Sequence, residues 1–150
     1  ERYYRTLCNI KEQHEIQSMC LAYLKTIEWT LKYYTTGCPD WRHCYSYNYA
    51  PLLEDVVKAI PVFDTELIEQ NDNTPVTALT QLSYVLPISS HYLLPEALRH
   101  ELQKECGDYY GDNWEFEWSY CKYFWECHAK MPEIDLHRLE QIEHRYSSSK

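Results

Sequence analysis

Ile16, Met19, Cys20, Tyr23, Leu24, Ile27, Leu31 and Tyr34 step along the chain by three, one and four, the spacing that lines one face of a helix. The pattern predicts a helix over about 11–36. Gly37 suits the position just past its end, and Pro39 cannot continue it. Trp29 falls off the stripe, so a second face of this helix is expected to be buried. Residues 1–10 read as an arm or helix end packed on a neighbour.

A second helix is expected from Pro51 to about Ile60, because Pro is well placed at a first helical position, where the N–H would be an orphan anyway. Leu52, Leu53, Val56, Val57 and Ile60 form its inner face, with Glu54, Asp55 and Lys58 outward. Residues 61–75, with two Pro and an acidic run from Asp64 to Asp72, read as a surface loop with little fixed structure. Thr74 and Pro75 then look like the cap and first residue of a helix over about 76–85, with Val76, Leu79, Leu82, Val85 and Leu86 inward and Pro87 as its stop. Ser89 or Ser90 caps a turn, and Pro95 opens a helix to about Cys106 with Gly107 as its C-cap. Residues 107–120 read as loop. Asp135 caps a last helix whose Leu136, Leu139 and Ile142 face inward, and 147–150 form a frayed end. The fold class is mainly α, a single helical piece over 1–150.

The 37–51 stretch stands apart. Trp41 is followed by Tyr45, Tyr47 and Tyr49 alternating with Ser46 and Asn48, which puts the Tyr rings on one side of an extended segment. Such rings either plug against other elements or offer flat faces to a ligand.

Composition narrows the partners. Fifteen Tyr against three Gly imply large packing surfaces joined by few tight turns. The net charge of −9 argues against this chain gripping a phosphate backbone unaided. No apolar run approaches the roughly 18 residues of a membrane span, and the N-terminus does not read as a signal peptide. Both ends read as mid-flow, as in an excised piece. Seven Cys without paired spacing favour reduced thiols and an intracellular setting.

Metal chemistry finds little support. Cys121 and Cys127–His128 match no standard zinc spacing, and buried free thiols are the simpler reading for the cysteines. Asp108, Asp112, Glu115 and Glu117 are close in sequence, but a loop gives them no rigid geometry for a two-metal nuclease site. His14 reads as a solvated surface group, and His91 and His100 read as surface or capping groups. No catalytic residue and no metal ligand is assigned in this chain.

Three segments together carry a resemblance. Tyr33-Tyr34, Gly37-Cys38-Pro39-Asp40-Trp41-Arg42-His43 and Ser46-Tyr47-Asn48-Tyr49-Ala50-Pro51 with Asp55 form the first. Gln81-Leu82-Ser83-Tyr84-Val85-Leu86-Pro87, then Ser89-Ser90 and Leu93-Leu94-Pro95, form the second. Trp125-Glu126 with Met131-Pro132-Glu133-Ile134-Asp135 forms the third. In this order, across about 20–140, they resemble the second conserved region of the Xrn/Rat-type 5′→3′ exoribonucleases, in a divergent version such as large DNA viruses encode. His43, Ser46 and Asn48 depart from the Trp, Pro and His of the family pattern.

The resemblance implies part of a processive 5′→3′ exoribonuclease acting on 5′-monophosphate RNA with Mg²⁺. It also implies that the metal-binding carboxylates and the 5′-phosphate pocket lie in an N-terminal catalytic region outside this chain. That region is the expected partner, with single-stranded RNA reached through it. The piece would wall the active-site pocket, with Trp41 and, more weakly, His43 stacking on substrate, and with Tyr45, Tyr47, Tyr49 and Trp125 as packing in the pocket wall. The alternative is a non-catalytic structural or protein-interaction module descended from the same family. The expected compartment is intracellular, the cytoplasm ahead of the nucleus.

Overall fold

The computed structural model describes residues 2–111 and 114–148, which fall into two compact units, Glu1–Pro75 and Val76–Lys150. Asp112 and the last two residues of the expected frayed end lie outside the described residues, whereas 147 and 148 are still helical.

The first unit holds helices α1 (Arg2–Leu7), α2 (Gln13–Thr35) and α3 (Leu53–Ala59). α2 starts where the Glu15 carboxylate accepts the backbone N–H groups of Lys11 at 3.0 Å and Glu12 at 2.9 Å. Those bonds satisfy donors that a helix start leaves orphaned, and they hold the Glu15 carboxyl below its ordinary range. α2 ends as the sequence predicts: Thr36 and Gly37 both donate to the Lys32 carbonyl, with Gly37 at φ +121°. A side chain is strained at that angle, so glycine is required.

Ile16, Met19 and Cys20 from α2 join Tyr4, Ile10 and Val56 in one core. The later part of the predicted stripe differs. Ile27, Leu31 and Tyr34 are exposed, because the 23-residue α2 far outruns the seven-residue α3 packed on it. The N-terminal arm, expected as an arm or helix end packed on a neighbour, is the helix α1, and its Tyr4 is almost fully buried.

Helix α3 departs from expectation. It begins two residues after Pro51 and buries only Val56, leaving Leu53, Val57 and Ile60 exposed. Asp55, expected outward, turns toward α1. The Tyr4 hydroxyl donates to Asp55 Oδ2 at 2.8 Å and accepts the Leu52 N–H at 3.0 Å. A buried hydroxyl must find both partners, and that demand, rather than the apolar count, sets the rotation of so short a helix.

Residues 61–75 have no regular structure but are not loose. Ile68 is almost completely buried. The Leu67 N–H donates to Glu28 at 2.8 Å, Lys32 Nζ donates to the Ile68 carbonyl at 2.8 Å, and the Asn71 N–H donates to the Pro39 carbonyl at 2.7 Å. Composition suggests a featureless loop because these fixing groups belong to α2 and to the turn after it, far away in sequence.

The second unit contains α4 (Ala78–Val85), α5 (Glu96–Cys106), the antiparallel pair β1 (Glu115–Glu117) and β2 (His128–Lys130), and α6 (Leu136–Ser148), with 3₁₀ turns at Ile88–Leu93, Gly107–Tyr109 and Phe124–Glu126. Leu94, Leu98, Leu102, Cys106 and Tyr110 form a core with Leu139 and Ile142 of α6. Asp135 caps α6 as expected, accepting the His137 N–H at 3.0 Å.

Several expectations are corrected in this unit. The cap of α4 is Thr77, which accepts the Thr80 N–H, rather than Thr74. α4 buries Thr80 and Ser83 and leaves Leu82 and Val85 exposed. The polar face is tolerated inside because Thr77 and Thr80 bond Glu143 of α6, Ser83 Oγ donates to the Leu79 carbonyl, and Tyr110 donates to the Ser83 carbonyl at 2.8 Å. Burial pushes the Tyr110 phenol up to about 12. His91, expected as a surface or capping group, is buried, with its ring against Tyr110 at 4.4 Å and Nε2 3.3 Å from the carbonyl of Leu86 at the end of α4. Gly107 is the C-cap of α5 as expected, although in ordinary right-handed geometry at φ −53°, and it opens a 3₁₀ turn. The stretch expected to be loop contains β1, which pairs Glu115 with Lys130 and Glu117 with His128. Of the seven free cysteines only Cys20 and Cys106 are fully buried, and Cys44 is exposed.

Candidate nucleic-acid interface

The aromatic loop is built against the second face of α2. The Trp29 indole N–H donates to the Asp40 carbonyl at 2.8 Å, and its ring stacks on Tyr33 at 5.2 Å and His43 at 6.2 Å. The off-stripe position of Trp29 predicts a second covered face, and the loop covers it to half-burial, with Tyr33 still exposed. His43 is half-buried, with Nε2 3.0 Å from Thr26 Oγ1. Burial, followed by the nearby Lys25 charge, pulls its pKa below the ordinary imidazole value, with Asp40 opposing.

Trp41 sits at the outer turn of this loop, with its residue 49% exposed. Its backbone is held while its ring is left open. The Trp41 N–H donates to Asn73 Oδ1 at 2.9 Å, Asn73 Nδ2 donates to Asp40 Oδ1 at 2.6 Å, and the Arg42 N–H donates to the same Asp40 oxygen at 2.7 Å. Arg42 Nε reaches the Thr74 carbonyl at 2.8 Å. The Asn73 amide, then the Arg42 N–H, hold the Asp40 carboxyl below its ordinary range. Sequence reasoning did not single out Asn73, because its partners lie more than thirty residues away; the only local hint is an Asn within a polar run.

The three tyrosines do show the alternation read from sequence: 45, 47 and 49 are half-buried, and 44, 46 and 48 are exposed. Tyr45 meets Tyr23 edge-on at 5.8 Å and Tyr47 at 5.4 Å, and its hydroxyl donates to the Tyr49 carbonyl at 3.0 Å. Tyr47 packs on the first core. These rings are a plug within their unit, which fixes the loop that carries Trp41 and His43.

Trp125 belongs to the second unit. It is 78% exposed and stacks on Tyr123 at 4.5 Å, nearly parallel. Phe116, Trp118, Tyr120 and Phe124 around the strand pair are exposed as well, so none of these rings is core within its own unit. Among the described residues no three His, Cys, Asp or Glu side chains converge to hold a metal ion. No helix among the described residues is long and apolar enough to cross a membrane.

The family model for the Xrn1 helical domain matches residues 1–148. The chain belongs to the Xrn1 helical-domain family. A relative named 5'-3' exoribonuclease 2 from Debaryomyces hansenii is 34% identical over 97% of this chain and 15% of its own length. The protein of the same name from Aspergillus oryzae is 32% identical over 93% of this chain and 14% of its own. A 5'-3' exoribonuclease 1 from Schizosaccharomyces pombe is 30% identical over 91% and 10%. The chain therefore spans 15% or less of the length of these relatives. The Xrn resemblance read from three short segments holds over nearly the whole chain, and a mainly helical fold accompanies it.

Proposed function

We propose that this chain is the helical wall of a 5′→3′ exoribonuclease that degrades 5′-monophosphate RNA. In this reading Mg²⁺ and the carboxylates that hold it belong to a catalytic region of the same protein, outside the 150 residues. The chain's own contribution is to shape the entrance and stack on single-stranded substrate, while the positive charge for phosphate comes from that other region, since this chain carries −9.

The observation that carries the reading is the half-exposed Trp41 on a clamped backbone. A stacking platform needs an open ring that is already held in place, and the Asn73–Asp40 clamp supplies the holding. His43, stacked on Trp29, is the weaker platform. Tyr45, Tyr47 and Tyr49 act in the wall by fixing the loop, and the open Trp125–Tyr123 pair is a further wall surface for packing.

The test is Trp41→Ala in the full-length natural protein, with Tyr33→Phe as a control. Stacking is worth about 1–3 kcal/mol per base, so affinity for single-stranded RNA should fall about 5- to 150-fold. Unchanged binding and unchanged degradation of 5′-monophosphate RNA would remove the stacking role.

A second reading, a non-catalytic packing module, is favoured by one observation. Leu53, Val57, Ile60, Val62 and Phe63 form an exposed apolar run, with Val62 92% exposed, and apolar surface on this scale is typical of an interface. A full-length protein that fails to degrade RNA in Mg²⁺ yet keeps its fold would establish this reading instead.

A further inference from the structure

Thr74–Pro75 is a pair that the fold leaves unused. It reads as a helix start, yet α4 is capped by Thr77 and begins at Ala78. Thr77 and Thr80 commit their hydroxyls to Glu143, and Thr35 and Thr36 commit theirs to carbonyls of α2. The Thr74 hydroxyl has no hydrogen bond among the described residues.

The backbone here is presented to solvent. Residues 71–77 form no helix or strand, and 72–76 make no backbone–backbone hydrogen bond among the described residues. Thr74 and Pro75 are both exposed. An enzyme that offers no acceptor to the N–H after its target residue selects proline there, because proline alone lacks that N–H. An exposed hydroxyl on irregular, extended chain just before a proline is the substrate pattern of a proline-directed protein kinase.

A phosphate-binding group already stands at the same residue. Arg42 Nε donates to the Thr74 carbonyl at 2.8 Å, which brings the guanidinium beside the residue that carries the hydroxyl. Phosphorylation adds a charge of about −1.5 to −2 and three acceptor oxygens. Guanidinium–phosphate hydrogen bonds are of the strong, charge-assisted kind. Asp40, the carboxylate of the same turn, already accepts the Asn73 amide and the Arg42 N–H, which offsets part of its repulsion.

We propose that Thr74 is a phosphorylation site for a proline-directed Ser/Thr protein kinase, and that the phosphothreonine pairs with Arg42 to tighten the turn that carries Trp41. In the transfer the γ-phosphoryl group passes from ATP to Thr74 Oγ. The bond to ADP breaks, the bond to Oγ forms, and the hydroxyl proton leaves to the base of the kinase. Arg42 follows Trp41 in the chain and Thr74 follows Asn73, so the new ion pair is a second strap beside the Asn73–Asp40 clamp. The proposal uses the first unit alone and holds whether or not Trp41 stacks on RNA.

The experiment incubates the full-length natural protein with MgATP and each of two proline-directed kinases, and maps the label by peptide mass spectrometry. Thr74 should be labelled in the folded protein, and Pro75→Ala should lower that labelling about tenfold or more. In phosphorus NMR the phosphothreonine should titrate at lower pH in the folded protein than in urea, because a guanidinium favours the dianion. Arg42→Gln should remove most of that difference. Where Arg42→Gln fails to fold, the folded and urea-unfolded phosphoproteins decide by themselves. Amide exchange at Trp41 and Arg42 should slow about tenfold on phosphorylation. A folded protein that neither kinase labels at Thr74 overturns the proposal, as does a phosphate that titrates alike folded and unfolded.

Discussion

The two units solve the same problem by different chemistry. In Glu1–Pro75 the apolar core gathers around the first half of α2, and the rest is fixed by polar side chains reaching to backbone: Glu28 and Lys32 hold 66–68, Asn73 and Asp40 hold the Trp41 turn, and Tyr4 ties α1 to α3. In Val76–Lys150, α5 and α6 close a contiguous apolar core of leucines, Ile142, Cys106 and Tyr110. The contrast teaches where stability and function separate. An apolar core is insensitive to direction and holds a unit together, whereas a hydrogen-bonded clamp fixes one loop geometry at modest energy. The exposed Trp41 is found on the clamped kind.

This contrast can be broken most forcefully at Leu102, which is completely buried. Leu102→Ala should destabilise by about 2–5 kcal/mol, read by amide exchange as loss of protection first across α5 and α6. A uniform, small loss would mean that the α5–α6 core is not the main support of its unit.

Tyr4→Phe comes next. It deletes one hydroxyl that serves two partners, at a cost of about 2–3 kcal/mol in denaturant melts. It also carries a pH signature. The Tyr4 hydroxyl, then Lys58, holds the Asp55 carboxyl below its ordinary value. A depressed carboxyl contributes stability that is present above the unfolded-state value near about 4 and is lost as pH falls through the folded value. The wild-type chain should therefore lose this contribution on acidification below about 4, and Tyr4→Phe should show a shallower acid limb.

Asn73→Ala sharpens the functional side. Loss of the amide that bonds both Trp41 and Asp40 should cost about 1–2 kcal/mol. It should also broaden the Trp41 signal in fluorine NMR of 5-fluorotryptophan protein more than that of Trp29. An unchanged Trp41 signal would mean that the clamp does not order the turn.

The smallest effects lie at two glycines, one in each unit. Gly37 at φ +121° should lose about 1–2 kcal/mol on replacement by Ala. Gly107 has right-handed geometry and open space where a Cβ would go, so Gly107→Ala should gain about 0.4–1 kcal/mol. Thermal melts with the same sign for both would contradict these backbone assignments.

The glycines also show how far a sequence can be read. The same rule puts both just past a helix. The rule correctly located both helix ends, but only the backbone path beyond each end decides whether glycine is needed. Trp29 behaved similarly: its off-stripe position revealed a second covered face, but not that the cover is the Asp40–His43 turn. The inner face of α3 is not legible from its apolar spacing, because Asp55 serves a tyrosine that lies fifty-one residues away.

What the sequence determined by itself is what periodicity and short motifs carry locally: α2 and its end, the Asp135 cap and inner face of α6, the alternation of the Tyr plug, and the Xrn family through three ordered segments. Tertiary structure alone decided the rotation of α3, the burial of Thr80, Ser83 and His91, the fixing of 61–75, and the openness of Trp41 and Trp125. The physical reason is range. Helical periodicity is written within one or two turns, whereas burial of a polar group depends on a partner that only the folded chain brings within 3 Å.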